Sequence, residues 1–232
     1  MWYFNVILIV LCVISPRNCA RRHNQITIAT LLPADDSRLF SIRRVAPALS
    51  IAIGYVNRKG LLPRKELVVE YADTKCRVAE AMNEAINYFV RKRVNVFFGP
   101  CCDYPAAPIA RQAPFWNIPM ITPGAMARDF ALMKRTMFPL LTRIGTDFNS
   151  LVTFIISVLQ EFNWSKVKLL YDPLGQDDVV GRFCHIAADG IHYGLRNQRT
   201  IQNLSQEYFK FDVISDILDN FASEVGLNIG GK

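Results

Sequence analysis

Histidine is scarce in this chain: His23, His185 and His192 are the only three among 232 residues. The motifs that build common active sites are missing as well. No Gly-x-Gly-x-x-Gly is present, which removes the dinucleotide-binding turn, and no Gly-x-Ser-x-Gly supplies a nucleophile elbow. The cysteines follow no common zinc spacing, so no metal site is expected. A cysteine nucleophile paired with His185 or His192 would need a thiol that disulfide formation consumes. Asp177-Asp178 reads as a helix-start pair complementing the macrodipole. Past residue 15 no apolar run is long enough to cross a bilayer. Positive charge is present, net +7, but it is scattered through short groups such as Arg43-Arg44, Arg91-Lys92-Arg93 and Lys134-Arg135. That distribution describes a solvated surface and argues against a nucleic-acid partner. These absences leave binding, not catalysis, as the expected task, with no catalytic residue assigned.

What is present begins with an apolar core at residues 4–15, then small residues to Cys19-Ala20, then Arg21-Arg22. This is the pattern of a secretory signal peptide over residues 1–20, with an uncleaved signal anchor as the alternative. Export would leave four cysteines, Cys76, Cys101, Cys102 and Cys184, and an oxidising compartment favours disulfides among them.

Strands are expected at 26–32, 67–71, 94–98, 118–121 and 166–171. Helices fall between them at 41–57, after Asp73 or Thr74 as cap, at 106–115, from Phe148 to Phe162, and near 177–193. Phe211, Ile214, Leu218, Phe221 and Val225 stripe a last helix. Alternation of this kind predicts α/β architecture with doubly wound parallel sheets, divided into units at 21–145 and 146–225. The segment 94–111 is the most informative: a buried strand runs through Gly99-Pro100 into a cysteine-bearing loop and a helix with Pro105 in its first turn. Amides at such a junction favour an anion or polar ligand group. After Val225 a further strand is expected, but the chain stops at residues 226–232. A parallel sheet left there would expose an edge, so a truncated product or incomplete gene model is expected, with a complete natural chain as the alternative.

Residues 31–48, with Leu31-Leu-Pro-Ala-Asp-Asp-Ser-Arg, and 98–111, with Phe98-Gly-Pro-Cys-Cys-Asp-Tyr-Pro, resemble the extracellular domain of natriuretic peptide receptors. The first stretch is nearest the clearance-type members. The likeness continues through residues 116–125, Phe162-Asn-Trp-Ser165 and Arg182-Phe-Cys-His185. It implies a periplasmic-binding-protein type I-like fold of two lobes, the second incomplete here, with a peptide ligand held between two receptor chains as a homodimer. Some members are receptor guanylyl cyclases whose catalytic domains lie beyond a membrane helix. The resemblance also implies a disulfide between Cys76 and Cys102, and a chloride ion held by Thr74 and the amides of Cys101 and Cys102. Cys101 departs from the pattern: unpaired, competing for Cys76, and pairing between chains all stay open. Cys184 matches a cysteine whose family partner lies on a strand absent here. Tyr104, Arg111, Tyr171, His185, Ile186 and Asp189 fall at or near family positions that touch peptide. Between Phe130 and Arg143 the family's acidic and aromatic contacts give way to Leu132-Met-Lys-Arg-Thr136, which argues against a natriuretic peptide itself. Asn163 and Asn203 head glycosylation sequons.

The expected function is thus an extracellular ligand-binding region, secreted or at the cell surface, that signals by rearranging a receptor dimer. A soluble protein of the same fold holding an amino-acid-like molecule between its lobes is the second reading. A nonfunctional truncated product is the third.

Overall fold

A computed structural model describes residues 25–211 and 217–226. The signal peptide, His23, Ile214 and residues 227–232 of the tail lie outside the described residues.

The first unit is a five-stranded parallel sheet: β1 (Gln25–Leu32), β2 (Glu66–Asp73), β3 (Val96–Phe98), β4 (Met120–Thr122) and β5 (Leu141–Arg143). Their order across the sheet is β2-β1-β3-β4-β5. Helices α1 (Ile42–Arg58), α2 (Val78–Val90), α3 (Asp103–Trp116) and the short α4 (Asp129–Leu132) connect the strands. Strands covered on both faces need no polar alternation, and Ala29 to Leu32, at the inner end of β1, are fully buried. Phe97, Met120, Leu141, Ile109 and Ala110 extend that core under α3. Burying each large side chain contributes about 1.5–3 kcal/mol.

Residues 146–211 and 217–226 form a second α/β unit. Its parallel strands β6 (Lys166–Tyr171) and β7 (Ser205–Lys210) pair directly. Helices α5 (Phe148–Glu161), α6 (Phe183–Asn197) and α7 (Ile217–Glu224) accompany them. Asp147 starts α5 by accepting the amides of Asn149 and Ser150. Lys168 holds α7 to the sheet through the Glu224 carboxylate at 2.5 Å. The two units meet through Met126, Phe148 and Val180, and Arg38 donates to the Asp177 carbonyl at 2.6 Å.

Several expectations change. Asp73 and Thr74 do not cap α2: Asp73 accepts the amides of Ala34 and Lys75, Thr74 accepts that of Cys76, and the helix begins at Val78. These side chains brace the turn instead. Helix α6 starts at Phe183, not near 177, because Gln176 and Arg182 adopt positive φ and break the helix before it. Phe211 precedes α7. Strands β5 and β7 and helix α4 were not anticipated; β5 has only three residues, and β7 reads SQEYFK, mostly exposed and without strict alternation.

Gly99, at φ +90°, takes the chain off β3 into the cysteine loop. That loop is clamped to the end of β4. The Thr122 hydroxyl donates to the Pro100 carbonyl at 2.5 Å and accepts the Gly124 amide at 3.0 Å. A side chain at Gly124 would put its Cβ 1.8 Å from the Cys101 carbonyl oxygen.

Candidate functional site

Helix α3, the α4 segment and α6 enclose a groove of about 530 Å³. Helix α3 brings Asp103, Tyr104 and Arg111; the α4 segment brings Arg128, Asp129 and Phe130; α6 brings His185, Ile186, Asp189 and Tyr193. Of the six residues singled out from the sequence, Tyr104, Arg111, His185, Ile186 and Asp189 line it together. Tyr171 does not; its ring lies against His185, with centroids 6.3 Å apart.

Cation–π contacts order the groove's side chains. The Arg182 guanidinium lies 5.9 Å from the Tyr104 ring centre and the Arg111 guanidinium 5.7 Å from that of Phe138. Tyr104 remains 45% exposed, so much of its ring stays open on the groove side. Asp103, the first residue of α3, is only 4% exposed. Its Oδ1 accepts the Ala127 amide at 2.7 Å, whereas its Oδ2 is buried without a partner. Burial pushes the Asp103 carboxyl up to about 6, against the pull of the Ala127 and Met126 amides and the Arg143 charge. Rigid aromatic surface, planar donors and carboxylates in one concave site suit recognition of a polar, extended ligand.

Asp103, Arg128, Asp129 and Tyr193 escaped the sequence reading. Tyr193 was within reach, since His185, Asp189 and Tyr193 repeat at helical spacing. Asp103 and the α4 residues carried no signal, because their position depends on how the loop after β4 folds back over α3.

A separate cluster lies at the start of α3. Cys76 and Cys102 form a disulfide with Cα atoms 5.7 Å apart. Cys101 is buried and unpaired beside it. Burial pushes its thiol up to about 12, opposed by hydrogen bonds from the amides of Cys101 and Cys102 and by the Arg38 charge. Thr74 is fully buried and takes the Cys76 amide at 3.4 Å. Cys184 is half-buried and unpaired. Asn163 and Asn203 are both exposed, each in a turn at positive φ.

A second cavity, about 700 Å³, opens between the two units against Phe40, Met126, Phe148, Val180 and Phe183. No lysine, arginine or histidine lines it. Among the described residues no group of three His, Cys, Asp or Glu side chains is placed to hold a metal ion.

The family profile described as receptor family ligand binding region matches residues 44–185. The chain belongs to that family. The matched region is a ligand-binding region, not a catalytic domain. Rat atrial natriuretic peptide receptor 3 is 31% identical over 200 residues, covering 83% of this chain and 36% of that protein. The human receptor 3 is 30% identical over the same length. Rat atrial natriuretic peptide receptor 2 is 32% identical over 155 residues, 66% of this chain and 15% of that protein. The chain thus spans about a third of the length of the receptor 3 proteins. Among solved structures, an ABC transporter substrate-binding protein from Desulfitobacterium hafniense matches with a TM-score of 0.64 at 13% identity, covering 87% of this chain and 56% of that one. That likeness shows the fold, periplasmic-binding-protein type I-like, which agrees with the parallel sheets.

Proposed function

We propose that this ligand-binding region is extracellular and holds a peptide hormone in the groove between α3, α4 and α6. The convergence of Tyr104, Arg111, His185 and Asp189 from two α/β units onto one groove carries the reading. The peptide acts by differential affinity: it favours one arrangement of two receptor chains over another, and that difference is the signal. The names of the receptor 2 and receptor 3 relatives support a peptide ligand. The substitutions at 132–136 favour a peptide distinct from natriuretic peptides.

A structural chloride at Thr74 and the amides of Cys101 and Cys102 is part of the proposal. A buried hydroxyl and two amides that donate to no backbone carbonyl among the described residues support it. The Cys101 sulfur, which those amides face, contests the place. For the alternative of an amino-acid-like ligand between the units, the cavity of about 700 Å³ offers no cation to clamp a carboxylate, whereas the groove, which also lies between them, carries Arg111 and Arg128.

The test is calorimetric titration of the protein with atrial natriuretic peptide and a panel of secreted peptides, repeated on Tyr104→Ala and Arg111→Ala. Saturable binding of at least one peptide, weakened about tenfold or more by either change, is expected. Binding indifferent to both changes would sink the groove reading.

A further inference from the structure

The protein as a whole is basic, net +7, yet the groove is not. Its lining carries three carboxylates, Asp103, Asp129 and Asp189, against two guanidiniums, Arg111 and Arg128. Both guanidiniums touch neutral protein groups, Arg111 over the Phe138 ring and Arg128 from Nε to the Asn149 side chain at 3.4 Å, so the lining keeps one carboxylate in excess. Asp129 and Asp189 are exposed and join none of the ion pairs among the described residues.

Asp103 is the buried one of the three carboxylates. Its Oδ1 is satisfied by Ala127, and its Oδ2 is closed to solvent without a hydrogen-bond partner, although the Met126 amide pulls on the carboxyl. Arg143, the charged group that acts on it from β5, is committed elsewhere, donating to the Ala125 carbonyl at 3.2 Å and pairing with Asp147 at 3.8 Å. A buried carboxylate oxygen with no partner is costly. The fold has already removed its water, so a cation arriving from the groove gains a charge-assisted bond without first stripping a hydrated carboxylate.

We propose that the groove selects a ligand with a cationic side chain, arginine or lysine, drawn in by Asp129 and Asp189, whose head group displaces the wall covering Asp103 to reach Oδ2. This rests on the groove being the ligand site. It adds the chemical class of the ligand's anchoring residue and a binding role for Asp103.

The experiment titrates the protein with Nα-acetyl-arginine amide, Nα-acetyl-lysine amide and the neutral isostere Nα-acetyl-citrulline amide, following backbone amides by NMR. The arginine and lysine probes should shift the Ala127 and Asp103 amides and bind about tenfold more tightly than citrulline, a difference of about 1.4 kcal/mol. In Asp103→Asn, which keeps an acceptor for the Ala127 amide, that preference should fall to near unity. Equal binding of arginine and citrulline probes by the unmodified protein overturns the proposal, as does a preference that survives Asp103→Asn. Should the variant fail to fold, the probe comparison and the Ala127 shift in the unmodified protein decide alone. A cation preference without binding of any peptide would count against the hormone reading and not against this one. Peptide binding indifferent to the charge at Asp103 would do the reverse.

Discussion

The Cys101 sulfur lies 3.8 Å from the sulfur of Cys102, which is itself bonded to Cys76. An unpaired thiol is therefore within reach of a disulfide it could exchange with, and what holds it back is protonation. Exchange needs the thiolate, and burial pushes this thiol up to about 12. At neutral pH, non-reducing peptide mapping should recover the Cys76–Cys102 pair and an unpaired Cys101. Peptides joining Cys101 to Cys76 or to Cys102 should appear faster as the pH rises, about tenfold per unit below 12. Abundant Cys101 pairing at pH 7 would contradict the assignment.

Removing the bond should cost more than removing the neighbour. In a Cys101→Ser background, which prevents substitute pairing, Cys76→Ser opens a loop of 26 residues. The chain-entropy relation puts the loss at about 3.5 kcal/mol. Urea unfolding should show that loss for the double variant and a much smaller change for Cys101→Ser alone.

The strands with strong apolar runs, β1, β2 and β6, and the amphipathic helices α1, α2 and α5 were legible because local periodicity and burial agree there. Strands β5 and β7 were not. Leu141-Thr-Arg143 is too short to show a period, and Ser205 to Lys210 carries polar residues on a pair with much exposed surface. The groove was legible in part, through Tyr104 and Arg111 on one helix and His185, Ile186 and Asp189 on another. Asp103 was invisible because its importance comes from the loop 123–127 folding over it, which leaves no local pattern.

Asp103 also sets a pH dependence. Its carboxyl ionises near 3.8 when unperturbed and near 6 when buried in the fold, so between those values the folded state binds the proton more tightly. Stability should therefore fall as pH rises from about 4 to 6, and level off above, with a total penalty on the order of 3 kcal/mol. Asp103→Asn removes the charge that burial disfavours. Its urea midpoint should exceed that of the unmodified protein at pH 7.5 and lose this advantage below about pH 4. A constant difference across that range would show that the carboxyl does not titrate as described.

Gly124 tests whether the clamp between the cysteine loop and β4 shapes the groove. An alanine Cβ there would lie 1.8 Å from the Cys101 carbonyl oxygen, a backbone atom that cannot swing aside. The chain must separate at the seam where Thr122 meets Pro100 and Ala127 meets Asp103. Overpacking against unyielding atoms costs about 3 kcal/mol. Gly60→Ala is the control: Gly60 has φ +60° with nothing within 4 Å of the added carbon, so only the backbone penalty of about 1–2 kcal/mol applies. Thermal unfolding should rank the two variants in that order. Because the seam carries Asp103 and Ala127 to the groove wall, Gly124→Ala should also weaken ligand binding in the folded protein, while Gly60→Ala leaves it unchanged. Equal effects of the two substitutions on binding would mean that the groove is shaped independently of the clamp.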